Sequence, residues 1–430
     1  MAIEVDRPRI EYTPGFSLAG LPRQTLAILG REWLMHGHLQ DRVGMPLALS
    51  GGAREEMEAI AIDEWMAASP VYSRRTQRAL HFEGDGVDTI LKNIQFDIGA
   101  PHHFLDFRST VHDHDHGEFF LAHCGALMDV EPMGEEFVHG MCHTIEDPTF
   151  DATAVASNPR AQVRPVHRPP RTPAGRQPHC HWTITIDESF PPVEAHPHVA
   201  LVQRALIAGC AVDDPGTGTE AGGWDDYSGP FDTDFALEDL SHRALVVTLQ
   251  EFAVQSHLLL RGFCLAVAAR QGEDRAAALP PQMAVGLAGV TSERLTRAFA
   301  FDDSAAGLSA LLQVHPHLWP RTYVHPVIEL DGDRVRLALL EDSPIFAETD
   351  AFTWLAALPG AGDRMVLSLA QGFDRRAAVE PVTPAAGERC AYELSMPPDA
   401  APATEQPEVS LTKISTAATF ELGQRRPVRV

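Results

Sequence analysis

The chain has no uninterrupted apolar run of 18 residues, so its sequence offers no plain bilayer span. Its opening stretch, "MAIEVDRPRIEY", lacks the apolar centre of a signal peptide, and a cytoplasmic protein is expected. Basic residues are in deficit: 34 Lys and Arg face 59 Asp and Glu, for a formal net charge of −25. That balance argues against nucleic acid and anionic membrane surfaces as partners, since both require basic patches. Cysteine is sparse as well. Six thiols in 430 residues cannot form a disulfide scaffold, so in a reducing compartment they are core residues, metal ligands or reactive nucleophiles.

What is present is unevenly spread. Three of the six cysteines, Cys124, Cys142 and Cys180, lie in one stretch that also holds many of the 21 histidines. A hydrophobic content of 44% and a length of 430 residues predict a globular protein of two or three domains.

The chain repeats itself at a shift of 219 residues. "FSLAGLPRQTLAILGREWLMHGHLQDR" from Phe16 lies over "FALEDLSHRALVVTLQEFAVQSHLLLR" from Phe235, with Phe16, Leu18, Leu21, Leu26, Glu32, His38, Leu39 and Arg42 identical. Without a gap, "SRRTQRALHF" (73–82) then falls on "SERLTRAFAF" (292–301). The expected fold class is α/β (α+β): two tandem copies of a domain with N-terminal helices followed by a mainly antiparallel sheet and helices. Residues 1–190 form the first copy and carry the Cys/His site. Residues 191–234 are an acidic Gly/Pro-rich linker, 235–396 a second, degenerate copy, and 397–430 a tail.

The most conspicuous motif, "HDHDH" at 112–116, loses its catalytic promise under this shift. It overlies "DGD" in the second copy, a strong hairpin-turn signal, so His112 to His116 belong at a solvated hairpin tip between arms near 103–111 and 117–124. Helical spacing predicts helices over 23–42, 54–68 and 86–96. Residues 134–157 read as a broken helix whose second piece starts at Pro148 behind an Asp147 cap. Residues 160–168 and 179–187 read as a closing hairpin.

Chemistry is therefore sought at the cysteines. On a strand, Cys180 shares the inward face of Trp182 and Ile184, while His181 faces the other way. Three inward thiols from a strand, a helix and a second strand suit a divalent metal, zinc foremost and iron as the alternative. Their spacing matches no compact zinc finger, and packing as small hydrophobes is the competing reading. The second copy keeps only Cys390, opposite Cys180, which assigns the site to the first copy. His143 and Glu146 are candidates for proton transfer. Arg160 and Arg164 share a strand face that could hold a carboxylate; pairing with surface acids is the alternative.

Taken together, "REWLMHG", "FFLAHC", "GMCHTIEDPTFDATAVASNPRAQVRPVHRPP" and "PHCHW" resemble the family of L-2-amino-thiazoline-4-carboxylic acid hydrolase. That resemblance implies a 4-vinyl-reductase-type small-molecule-binding fold and marks Cys124, Cys142 and Cys180 as the family cysteines. The chain departs from that pattern in its His residues after Cys142 and Cys180 and in its tandem second copy. The resulting expectation is a metal- or thiolate-dependent hydrolase acting on a small carboxylated molecule. A non-catalytic small-molecule or metal sensor and an iron–sulfur redox protein are the alternatives. Self-association is left open.

Overall fold

In the computed structural model, which describes residues 7–216, 220–355, 358 and 362–423, the two copies have the same order of elements. The ends of the first copy (1–6) and of the tail (424–430), and residues 217–219 of the linker, lie outside the described residues.

The first copy opens with two long helices, α1 (Arg23–Leu49) and α2 (Arg54–Ala79), and a short α3 (Val87–Gln95). A hairpin of β1 (Leu105–Val111) and β2 (His116–Cys124) follows, then α4 (Gly125–Val130), α5 (Glu135–His139) and α6 (Glu146–Val155). A second hairpin of β3 (Ala161–His167) and β4 (His181–Ile186) and a small helix α7 (Val199–Gln203) complete it.

The second copy repeats this with α8 (His242–Gln271), α9 (Glu273–Ala298), α10 (Ala305–Val314) and the short α11 (Arg321–Val324). Strands β5 (Pro326–Asp331) and β6 (Arg334–Leu340), helix α12 (Asp363–Phe373), strands β7 (Ala378–Val382) and β8 (Glu388–Ser395) and helix α13 (Pro407–Thr412) follow. Both ends of α9 lie 219 residues after those of α2, the shift seen in the sequence.

Each sheet is antiparallel, with order β1-β2-β4-β3 in one and β5-β6-β8-β7 in the other. Strand alternation divides each sheet into an apolar and a wet face. Phe119, Leu121, Trp182 and Ile184 are buried on one side, while Glu118 and His181 pair on the other at 3.0 Å. The 112–115 turn is exposed and internally bonded: Asp113 accepts from the backbone of Asp115 and His116, and His114 contacts Asp85 and Asp115. It is a hairpin tip, as expected.

One expectation is corrected between residues 134 and 157. The helix does not restart at Pro148. It runs on through a π-turn at Gly140–Ile145, and Asp147 and Pro148 sit inside the first turn of α6 rather than ahead of it. Pro148 has no N–H to donate back to the carbonyls of the π-turn ahead of it. Asp147 is no cap; it pairs with Arg168.

The four long helices of both copies form one continuous apolar core. Close approach of α8 to α2 depends on Gly262, where a Cβ would stand 2.7 Å from the Glu64 carbonyl. Helix α8 is also long and apolar enough to cross a membrane by length and composition, but 83% of its most apolar window is buried inside the protein. Two ion pairs cross between the copies at equivalent positions. Arg75 of α2 clamps Glu251 of α8 at 2.6 and 3.0 Å, and Arg294 of α9 clamps Glu32 of α1 at 2.8 and 3.2 Å. The same two arginines also donate to backbone carbonyls of the small C-terminal segments, Arg75 to Ala208 and Arg294 to Ala417. Glu32 matches Glu251 and Arg75 matches Arg294 at the 219-residue shift. The copies therefore meet as the halves of an isologous dimer do, each presenting the same patch to the other.

Arg294→Ala leaves Glu32 buried without its partner and is expected to cost about 3–5 kcal/mol of unfolding free energy, whereas Met at both positions costs much less. Urea denaturation of the single and double variants measures the difference. Equal losses would mean that the pair is not what the interface depends on.

Candidate functional site

A second, separate apolar cluster fills the space between the first sheet, α3 and the helices after β2, and it contains Cys124, Cys142 and Cys180. Cys124 ends β2 and caps α4, its sulfur accepting the Leu127 N–H at 3.3 Å. Cys142 lies on the π-turn, a form of helix that recurs at functional sites because it re-aims side chains. Cys180 precedes β4, and its carbonyl accepts the Leu121 N–H at 3.2 Å. All three are buried.

Burial pushes each thiol up, to about 12 for Cys124, and the neighbouring Glu146 carboxylate adds to the rise in all three. Cys142 also feels the other two sulfurs. The cysteines from three elements thus converge around Glu146, and they do so as neutral thiols. No group of three or more His, Cys, Asp or Glu side chains among the described residues is placed to hold a metal ion.

The other expected site residues are placed as follows. Glu146 is half-buried, with its Oε2 shielded from water and without a hydrogen-bond partner; desolvation raises it to about 8, with Arg168 opposing and Asp147 adding to the shift. His143 lies off the cavity described below: its Nε2 meets the Pro169 carbonyl at 2.7 Å and its ring stacks on His139. Arg160 is spent on the backbone carbonyls of Glu188 and Phe190, and Arg164 on both oxygens of Asp151. Neither guanidinium lines the cavity that Cys124 borders, and Cys142 and Cys180 do not line it either.

That cavity, of about 150 Å3, is walled by β2, α1, α2, α6 and the π-turn, with Cys124 and Glu146 among its lining. Four residues on its wall have buried polar atoms without a partner: His38 Nε2, Asp41 Oδ1, Arg42 Nε and Glu146 Oε2. Four such atoms gathered at one cavity can be met together by ordered water or by the polar groups of a single guest. Burial lowers His38 well below the usual histidine range, and its Nδ1 meets the Gly99 carbonyl at 3.3 Å, which leaves Nε2 as an acceptor. Burial raises Asp41 to about 6 against the pull of Arg42.

Arg42 forms no hydrogen bond or ion pair with any described residue. Its counterpart in the second copy, Arg261, is neutralised by Glu348 at 3.5 Å and by Asp350. The first-copy equivalents of those acids are Asp129 and Glu131, and both are engaged elsewhere. Asp129 accepts from Ser415 and Thr416 of the second copy's tail, and Glu131 is clamped by Arg171 at 2.8 and 2.9 Å. Arg171 lies in the long loop between β3 and β4, which is far shorter between β7 and β8. In the second copy the ring of Trp354 packs on His257, the counterpart of His38, at 4.5 Å.

Because Glu146 binds its proton more tightly in the folded chain than an ordinary glutamate does, its contribution to stability is complete below about pH 4.5 and lost as pH rises through about 8. Glu146→Gln should therefore gain stability relative to the parent between pH 5 and 8, levelling off above. Urea denaturation at several pH values measures the gap, and a pH-independent difference would contradict the burial of an ionisable Glu146.

Comparison of the chain with known protein families, curated proteins and solved structures finds no match.

Proposed function

We propose that the first copy binds a small molecule through a carboxylate held by Arg42, in the cavity that Cys124 and Glu146 also line. The observation that carries this reading is that Arg42 makes no hydrogen bond or ion pair with a described residue, whereas the equivalent Arg261, its Nε unpartnered too, pairs through its terminal nitrogens with two acids. A planar fork of donors matches a carboxylate, and a charge-assisted pair shielded from water is strong. Glu146, protonated at neutral pH, offers the ligand a donor, and His38 an acceptor. The resemblance to the aminothiazoline-carboxylate hydrolases agrees with a carboxylated ligand and is itself part of the proposal. All six cysteines are free thiols, which suits a cytoplasmic setting.

Hydrolysis is the second reading, favoured by Cys124 and Glu146 on one cavity wall. Glu146, as its anion above about pH 8, would accept the Cys124 proton as the sulfur attacks an acyl carbon, pass it to the leaving group, and then take a proton from the water that cleaves the acyl-cysteine. The raised thiol pKa works against this chemistry, so binding is the better supported function. Turnover of a carboxylated thioester by the parent, lost in both Cys124→Ser and Glu146→Gln, would favour the enzyme.

Benzoate serves as the probe for binding. Arg42→Gln should weaken its binding by about 1.5–3 kcal/mol, the value of a hydrogen bond to a charged group. Arg261→Gln should leave affinity unchanged, and Arg171→Ala should lower it by releasing Glu131 toward Arg42. Affinity should fall as pH rises through about 6 and about 8, because Asp41 and Glu146 then become anions beside the bound carboxylate. Calorimetric titration of the full chain measures all four, and benzoate binding that survives Arg42→Gln would end the proposal.

A further inference from the structure

Beside the Arg42 cavity lies a second, larger chamber of about 320 Å3, and the two share Asp41, Arg42, Trp65, Met141 and Ile145 on their walls. The larger chamber is mostly apolar. Met45, Met57, Met133 and Met141 line it, four of the eleven methionines in the chain. Unbranched thioether side chains adapt to a flexible apolar guest better than branched ones.

Two of the acids on this wall are already satisfied. Glu58 pairs with Arg54 at 3.0 Å, and Asp129 is held by Ser415 and Thr416. Asp41 and Arg42 line both spaces: Asp41 accepts from Trp65 at 3.2 Å, and Arg42 makes no hydrogen bond with a described residue. At the mouth, Met133 and Ile414 are 50% and 67% exposed, large apolar side chains left open to water beside the opening. Leu411 and Ile414 come from the second copy's tail, which crosses onto the first copy and is pinned there through Asp129. The second copy thus supplies one wall of the first copy's chamber.

Resting on the reading of Arg42 as a carboxylate anchor, we propose that the ligand is an amphiphilic monocarboxylic acid of the medium-chain alkanoate type. Its head sits on Arg42 and its tail lies in the methionine-lined chamber closed by Leu411 and Ile414. The degenerate copy keeps its place in the chain by shaping this chamber.

The test is calorimetric titration of the full chain with butyrate, hexanoate, octanoate and octanol. Affinity should rise about threefold to fourfold per added methylene, the increment for burying one such group. Octanol, lacking the anion, should bind about tenfold more weakly than octanoate. Ile414→Asp, at an exposed position that tolerates a charge, should lower octanoate affinity about tenfold and spare butyrate. Leu411→Trp, which fills the chamber, should do the same, with circular dichroism checking its fold; if it does not fold, Ile414→Asp decides. Octanoate binding no tighter than butyrate, or unaffected by Ile414→Asp, overturns the chamber assignment while leaving the Arg42 anchor standing. Failure of every acid to bind, or octanoate binding that survives Arg42→Gln, removes the anchor itself and the inference with it.

Discussion

Two buried, reciprocal ion pairs organise this molecule. Arg75 with Glu251 and Arg294 with Glu32 place each copy's second long helix against the other copy's first, and tie both small C-terminal segments into the same junction. Removing one member of either pair from the folded chain would leave the other charge buried and uncompensated, a cost of about 3–5 kcal/mol. The tandem chain is thus a dimer made covalent, in which each half carries the interface of the other. Covalent linkage also frees the halves to diverge, because a change in one is no longer imposed on both.

The divergence falls on a single conserved geometry. Arg42 and Arg261 occupy equivalent places, yet one is exposed to a cavity and the other is neutralised. Small differences account for this. Ile207 of the first tail donates to Glu348 at 3.2 Å, as Thr416 of the second tail donates to Asp129 at 2.8 Å, so the two acids are structurally equivalent. Glutamate is one methylene longer, and Glu348 reaches its arginine as well, while Asp129 is used up by the tail. Arg171, on a loop the second copy has shortened, draws Glu131 away from Arg42. On the proposed reading, the arginine-rich loop keeps an anion site open by binding Glu131 through Arg171.

Much of this was legible in the residues, and the limits are physical. The repeat, the hairpin tip at "HDHDH" and the inward face of Cys180 followed from spacing and alternation, which govern strands and long helices directly. The convergence of the three cysteines was also anticipated. Their chemical state was not, because a thiol's burial and its distance from a carboxylate depend on tertiary packing. The π-turn at Cys142 escaped for a related reason: it changes hydrogen-bond register without changing composition. Arg42 and His38 match across the copies, so the residues themselves give no sign that the two environments differ. The shift even lays Asp129 and Glu131 over Glu348 and Asp350, acid on acid, so the sequence implies equal pairing. Only the paths of the tail and the Arg171 loop reveal the difference. Arg160 and Arg164 erred the other way, a plausible anion face whose donors are taken by local carbonyls and Asp151.

The central claim is that the symmetry of the copies is broken at one arginine, so that one copy alone receives an acid. Anomalous diffraction from crystals of the full chain soaked with 8-bromooctanoate tests it directly. The account predicts one bromine peak per chain, among the methionines of the first copy, with carboxylate density on Arg42. A peak beside Arg261, or equal peaks in both copies, would contradict it.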